Sequence, residues 1–168
     1  MKFLPGNAQH IGARSEQQDS FGFSDPSNAA FVAHAGVAAV VADGMGGLAN
    51  GKAASQTASK TFLQAYESKV SSETIPDALL RSLQVANNAV LALARQIEGV
   101  GTTLAAAVTS EQGLFWISVG DSRVYLLRED AIQCVTTDHI YARDLDKQVA
   151  RGQTTRLVAE SHPERASL

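Results

Sequence analysis

The sequence reads Val41-Ala42-Asp43-Gly44-Met45-Gly46-Gly47 where an apolar run ends in a carboxylate and a cluster of glycines. A strand end holds a carboxylate rigidly and leaves it accessible, and Gly44 has no side chain to keep its carbonyl away from a cation. Oxygen ligands of this kind suit hard divalent ions such as Mg²⁺ or Mn²⁺. Asp-Gly is also a common hairpin pair, so this stretch alone leaves an ordinary turn open.

Short apolar runs precede this stretch, and two helical patterns follow it. Residues 31–33 and 37–42 are bounded by turn residues and are predicted to be strands. Residues 51–66 carry alanines at helical spacing, which predicts a helix that lies close to a sheet. Residues 75–97 form an apolar stripe, and Thr74 with Asp77 fits an N-terminal cap, so a second helix is predicted there on the same side of the sheet.

The second half of the chain is predicted to return to strands. Four apolar runs, at 102–109, 114–120, 123–128 and 132–136, are separated by two or three turn residues, which predicts successive antiparallel hairpins. The tail is more polar and shows only a short helix, over 142–150.

Composition excludes several classes of function. The 168 residues carry a net charge of −3 and show no basic run, so nucleic acid is not an expected partner. The apolar stretch before Pro5 is too short for a signal-peptide core, and no stretch is long enough to cross a membrane, so a cytoplasmic location is expected. Cys134 is the single cysteine and is expected to be buried.

Other candidate residues are ambiguous when taken one at a time. Asp19 and Asp121 sit at strand edges beside serines, where aspartate commonly serves as a turn or capping residue. Arg14 alone resembles any surface charge, and His139 any polar loop residue. No Ser-His-Asp order or reactive cysteine motif is present.

Taken together, these segments resemble one known family. Four motifs, Arg14…Asp19, residues 43–47, Gly101-Thr-Thr103 and Gly120-Asp-Ser-Arg123, have the order and spacing of the type 2C metal-dependent protein phosphatases, above all of the bacterial branch. The resemblance extends over residues 9–139, and the tail segment 162–166 is similar to the flap region of that family.

The resemblance implies an α+β fold in which two antiparallel sheets form a sandwich flanked by helices, with its C-terminal strands missing here. The whole chain, 1–168, would be a single domain, with 138–168 as a flap-like region. Asp43 would bridge two metal ions, and the carbonyl of Gly44 would bind one of them. Asp19 would hold metal-bound waters, and Asp121 would contribute to a third, weaker metal site.

The same resemblance implies the reaction and the partners. Two, or three, Mn²⁺ or Mg²⁺ ions would supply a bridging hydroxide that hydrolyses phosphoserine or phosphothreonine in a signalling protein phosphorylated by a serine/threonine kinase. Arg14 would hold the phosphate, a task that suits a bidentate guanidinium.

Two departures from the family pattern limit this expectation. Met45 follows the Asp-Gly pair where eukaryotic members carry a proton-donating histidine, and a thioether donates no proton. No later Asp-Gly or Asp-Asn metal motif follows Asp121. Weak or absent phosphatase activity is therefore expected. The alternative is a non-catalytic, phosphatase-like binding or regulatory module. Self-association through unpaired strands is a further expectation.

Overall fold

The computed structural model describes residues 2–45, 49–165 and 167–168. Within these residues, two long helices follow the first two strands, a run of five strands comes next, and two short helices end the chain. The elements are β1 (Asp19–Phe23), α1 (Ala29–Ala35), β2 (Val37–Met45), α2 (Ala49–Glu67), α3 (Ile75–Ala94), β3 (Gly101–Thr102), β4 (Leu104–Ser110), β5 (Gly113–Val119), β6 (Tyr125–Arg128), β7 (Ala131–Cys134), α4 (Tyr141–Ala150) and α5 (Arg156–Glu160).

All pairings in the main sheet are antiparallel. Its strand order is β1-β2-β4-β5, and the short β3 pairs with the end of β2. Strands β6 and β7 form a separate two-stranded sheet. The predicted fold class, α+β with antiparallel sheets flanked by helices, is therefore confirmed.

Helices α2 and α3 cover one face of the main sheet, as predicted. Along β2 the side chains alternate, so Ala38, Val40 and Ala42 are buried beneath the helices whereas Val41 and Asp43 face the other way. Helix α2 packs on β1 and β2, and α3 packs on α2 and β5. One apolar core joins these layers, with Phe62 and Leu79 among its helical members.

The segment predicted as a strand at 31–33 is helical instead. Asn28 caps α1 by accepting a hydrogen bond from the Phe31 amide, and Gly36, with φ 70°, ends the helix before β2 begins. The alanines around Phe31 favour a helix, and the apolar run was too short for its period to separate a strand from a helix turn.

The predicted hairpin across residues 121–122 is also wrong. Gly120 has φ 95°, and beyond it the chain leaves the main sheet, so β6 pairs with β7. The hairpin between β6 and β7 is confirmed, and its turn residues Glu129 and Asp130 both have positive φ. Cys134 ends β7 and is exposed, contrary to expectation.

The polar tail folds into two short helices. The predicted helix over 142–150 is confirmed as α4, and the chain end returns to it because the Tyr141 amide donates to the Ser167 carbonyl at 2.8 Å. The part of the predicted flap segment at position 166 lies outside the described residues. Across the described ranges, no helix is long and apolar enough to cross a membrane.

Candidate metal and phosphate site

The pairing of β1 with β2 places two of the predicted site residues opposite each other. Asp19 and Asp43 are direct cross-strand partners, so their side chains project from the same face of the sheet. That face is the one turned away from α2 and α3, and both residues are exposed on it. The sequence placed both at strand edges, and the register now makes them a pair.

The environment of Asp43 opposes ionisation of its carboxyl group. Partial removal from water raises the pKa of Asp43, and the neighbouring Asp19 raises it further by its charge and by a hydrogen bond. The charge of Asp121 acts in the same direction, whereas Arg14 opposes these effects. Three carboxylates and one guanidinium therefore share one electrostatic environment, which is the kind of site that a cation would neutralise.

The segment Thr102-Thr103 binds the backbone of Asp43. Its amide donates to Oγ1 of Thr103 at 3.0 Å, and its carbonyl accepts from the Thr103 amide at 2.9 Å. The Thr102 hydroxyl donates to the same carbonyl, also at 2.9 Å. The Gly101-Thr-Thr103 motif thus holds the strand end that carries the candidate metal ligand.

The Gly44 peptide is enclosed by helix α2 and by the segment before β1. Its amide donates to the Gln18 carbonyl at 3.2 Å, and the Ser55 hydroxyl donates to that same carbonyl. Gly51 in α2 lies so close that a methyl group on it would come within 2.8 Å of the Gly44 carbonyl oxygen. Two glycines, Gly44 and Gly51, therefore allow helix and strand to meet at the site.

A cleft of about 510 Å³ opens beside these residues. Arg14 lines it together with Asp19 and Asp43, which brings the predicted phosphate ligand and two predicted metal ligands onto one cavity wall. Met45 lines it as well, and so does His10, whose Nδ1 accepts a hydrogen bond from the Gly12 amide at 2.9 Å. The cleft thus combines acidic, basic and polar side chains with the apolar side chains of Ile11 and Met45.

Asp121 lies in the turn that follows β5 and acts on Asp43 through its charge, but it does not line the cleft. The Ser122 hydroxyl lies 2.6 Å from that of Thr103, so this turn is joined to the residue that anchors Asp43. Sequence reasoning singled out both motifs but gave no role to Thr103 or Ser122, and it missed Gln18 and Ser55 altogether. The available signal was that Thr103 and Ser122 carry hydroxyl groups close to a glycine in the sequence. Which groups these hydroxyls bind depends on the fold.

Two other carboxylates that could have completed the site are engaged elsewhere. Asp138 forms a bidentate ion pair with Arg123, whose Nε and Nη2 donate hydrogen bonds to its two carboxylate oxygens. These hydrogen bonds lower the pKa of Asp138. Asp144 pairs with Lys147 within α4 at 2.9 Å. Each is already neutralised by a cation on the protein.

The donor set fits part of a dication site. Asp19, Asp43 and the Gly44 carbonyl offer only oxygen atoms, which hard divalent ions prefer. Over residues 2–45, 49–165 and 167–168, no group of three or more His, Cys, Asp and Glu side chains is close enough to hold a metal ion. The glycines at positions 46 and 47 of the motif lie outside the described residues.

The family is established by comparison with known proteins. The family model for protein phosphatase 2C matches residues 7–165. The chain therefore belongs to the protein phosphatase 2C family, and the sequence-based assignment is confirmed. The serine/threonine phosphatase stp of Listeria innocua is 32% identical over 130 residues, covering 74% of this chain and 50% of that protein. The serine/threonine protein phosphatase PstP of Mycobacterium tuberculosis is 34% identical over 128 residues, covering 75% of this chain and 24% of that protein.

Solved structures agree on the fold. The serine/threonine phosphatase of S. agalactiae superposes with a TM-score of 0.70 at 27% identity, covering 91% of this chain and 61% of that one. The catalytic domain of PstP in complex with 2 manganese ions gives a TM-score of 0.63 at 27% identity, covering 91% of this chain and 60% of that one. The chain spans about half the length of the Listeria relative that it matches.

Proposed function

We propose that this chain carries the Arg14, Asp19 and Asp43 part of a metal-dependent phosphatase site that acts on phosphoserine and phosphothreonine in proteins. The single observation that supports this most directly is the cleft where Arg14 meets the cross-strand pair Asp19 and Asp43. A phosphate group there would be held by a guanidinium on one side and by cations on the carboxylates on the other. The proposed substrate is a phosphoprotein produced by a serine/threonine kinase.

The chain's own oxygen atoms would hold the ions. Asp43 and the Gly44 carbonyl would be ligands of Mn²⁺ or Mg²⁺. Asp19 would hold the water molecules bound to these ions, and Asp121 would contribute to a weaker additional metal site. Such ions, when bound, make water nucleophilic near neutral pH and neutralise phosphate charge. Arg14 would orient the phosphate by two parallel hydrogen bonds. Met45 has no proton to give, so the leaving oxygen would take its proton from water or from another group.

We further propose that the chain of 168 residues hydrolyses its phosphorylated substrate only slowly. Affinity for a hard dication depends on the number of anionic ligands, and the described residues bring together few of them. A phosphoprotein-binding module with no turnover is the alternative. It would need Arg14 but not the metal carboxylates, and the shared environment of Asp19, Asp43 and Asp121 favours the enzymatic proposal.

The test is a Mn²⁺ titration by calorimetry together with hydrolysis of a phosphothreonine peptide. The wild-type chain is expected to bind Mn²⁺, and Asp43→Asn to bind it far more weakly because it removes the central negative charge. Turnover by the chain is expected to be far below that of the Listeria relative assayed beside it, and absent in Asp43→Asn.

The outcomes separate the two functions. Binding of the phosphopeptide that depends on Arg14, with no turnover at any Mn²⁺ concentration and no effect of Asp43→Asn, would establish the binding module. Robust turnover by the chain would instead mean that further carboxylates complete the site. Equal Mn²⁺ affinity in wild type and Asp43→Asn would refute the role given to Asp43.

A further inference from the structure

We propose that Thr103 is a positioning residue whose buried hydroxyl joins the Asp43 strand end to the Asp121 turn, so that both carboxylates meet a cation in a fixed arrangement. This inference rests on the proposed function and extends it to a residue that touches neither metal nor substrate. It concerns the Mn²⁺ or Mg²⁺ affinity of the site.

The first link runs from Thr103 to Asp43. Thr103 is 1% exposed, and its Oγ1 accepts the Asp43 amide proton at 3.0 Å. The Thr103 amide in turn donates to the Asp43 carbonyl at 2.9 Å. Both polar groups of the Asp43 backbone are therefore bound to one residue, which fixes the direction in which the carboxylate leaves the strand.

The second link runs from Thr103 to the turn that carries Asp121. The hydroxyls of Thr103 and Ser122 lie 2.6 Å apart. A threonine hydroxyl has one proton and two acceptor positions, so it can accept a hydrogen bond from the Asp43 amide and at the same time form one with the Ser122 hydroxyl. Gly120 also packs against this side chain, because a methyl group at Gly120 would lie 2.7 Å from Cγ2 of Thr103.

These two links hold together groups that repel each other. Asp43 feels the negative charges of both Asp19 and Asp121, so an unrestrained Asp121 turn would move away when no cation is present. A site whose ligands are already held in place loses less conformational freedom when an ion binds. Thr103 therefore contributes to ion affinity by keeping the two acidic segments in contact.

The test compares two substitutions at the same buried position. Thr103→Val keeps the shape but removes the hydroxyl, which leaves the Asp43 amide and the Ser122 hydroxyl without their partner. Thr103→Ser keeps the hydroxyl and removes only a methyl group. We expect Thr103→Val to weaken Mn²⁺ binding about tenfold or more, and Thr103→Ser to stay within about threefold of wild type, on the scale of one lost buried hydrogen bond.

A matched control separates positioning from general loss of stability. Ser82 is fully buried in α3, and its hydroxyl donates to the Ala78 carbonyl at 2.6 Å, away from the cleft residues. Ser82→Ala is expected to lower the unfolding midpoint without changing Mn²⁺ affinity. A parallel loss of affinity in Ser82→Ala and Thr103→Val would overturn the proposal.

A metal-free measurement keeps the proposal testable if the variant binds too weakly. Hydrogen exchange of the Asp43 amide, followed by NMR, is expected to accelerate about tenfold or more in Thr103→Val and to remain near wild type in Thr103→Ser, because only the valine removes its acceptor. Unchanged exchange in Thr103→Val would overturn the proposal.

The two proposals also fail in different ways. A wild-type chain that binds no Mn²⁺ would remove the proposed function, and the exchange experiment would then decide whether Thr103 still joins the two segments. If wild type binds Mn²⁺ and Thr103→Val binds it with the same affinity, only the role given to Thr103 is refuted.

Discussion

At the scale of single residues, Asp43 carries a conflict between stability and binding. Burial and the neighbouring Asp19 raise the pKa of Asp43 above the value of about 4 that it has in an unfolded chain. The raised value means that the protonated carboxyl favours the folded state, and this contribution is lost as pH rises through the folded pKa. At neutral pH without metal, the ionised group therefore destabilises the fold.

Asp43→Asn is expected to raise the unfolding midpoint at pH 7 in the presence of a chelator, because it removes this repulsion. The gain should shrink as pH falls through the raised pKa of Asp43, because the wild-type carboxyl takes up its proton there. Thermal unfolding across this pH range measures both effects. Asp130→Asn, in the exposed turn between β6 and β7, is the control and should leave the curve unchanged. A lower midpoint for Asp43→Asn at pH 7 would contradict this account.

Gly51 is a residue whose small size matters more than its helix propensity. Alanine is favoured over glycine inside a helix by about 1 kcal/mol. A methyl group at Gly51 would nevertheless lie 2.8 Å from the Gly44 carbonyl oxygen, and the strand end would have to move. Gly51→Ala is therefore expected to lower both the unfolding midpoint and the Mn²⁺ affinity, measured by thermal unfolding and calorimetry.

Gly22→Ala is the matched control for this change. It also adds a methyl group between β1 and α2, but that methyl meets the side chain of Leu63, which can turn aside. Its Mn²⁺ affinity should equal that of wild type whatever its stability. If Gly51→Ala binds Mn²⁺ as well as Gly22→Ala does, the close approach of Gly44 and Gly51 has no role in the site.

At the scale of elements, the start of α3 illustrates a structure fixed by local sequence. The Thr74 hydroxyl accepts the Asp77 amide at 3.2 Å and donates to the Asp77 carboxylate at 2.6 Å, as the sequence pattern predicted. Thr74→Ala should cost about 1 kcal/mol in the free energy of unfolding, the usual value for a lost N-cap. Denaturant unfolding measures it, and Ser71→Ala, an exposed neighbour outside the helix, should change the free energy by less than about 0.5 kcal/mol.

At the scale of the whole molecule, the sheet face that carries Asp19 and Asp43 is apolar farther along its strands. Val41 is 48% exposed and Trp116 43% exposed on that face. Contiguous apolar surface of this kind favours association with another protein surface. We expect the chain to self-associate in a concentration-dependent way, measured by light scattering.

Trp116→Thr should reduce this association, because it removes the largest exposed apolar side chain while keeping a residue that suits a strand. Leu157→Thr is the control, since Leu157 is 76% exposed on α5 and away from the sheet face. A clean monomer at high concentration for the wild type would refute the expectation.

Sequence alone determined much of this protein. The two long helices and the β4–β5 and β6–β7 hairpins followed from patterns within a few residues of each other, and the family followed from the order and spacing of four short motifs. Hydrophobic period, helix caps and turn pairs act over that range, so they can be recognised without knowledge of any tertiary contact. The same local evidence misassigned the segment around Phe31, where an apolar run of three residues suits a helix or a strand equally.

Tertiary structure decided how the candidate site is assembled. The pairing of Asp19 with Asp43 depends on strand register, and the bond from the Asp43 amide to Thr103 joins residues 60 positions apart. No local pattern contains such information, because a register shift of one residue would turn Asp43 towards the helices. Sequence could name Asp43 and Thr103 separately, but only the packed sheet makes them partners.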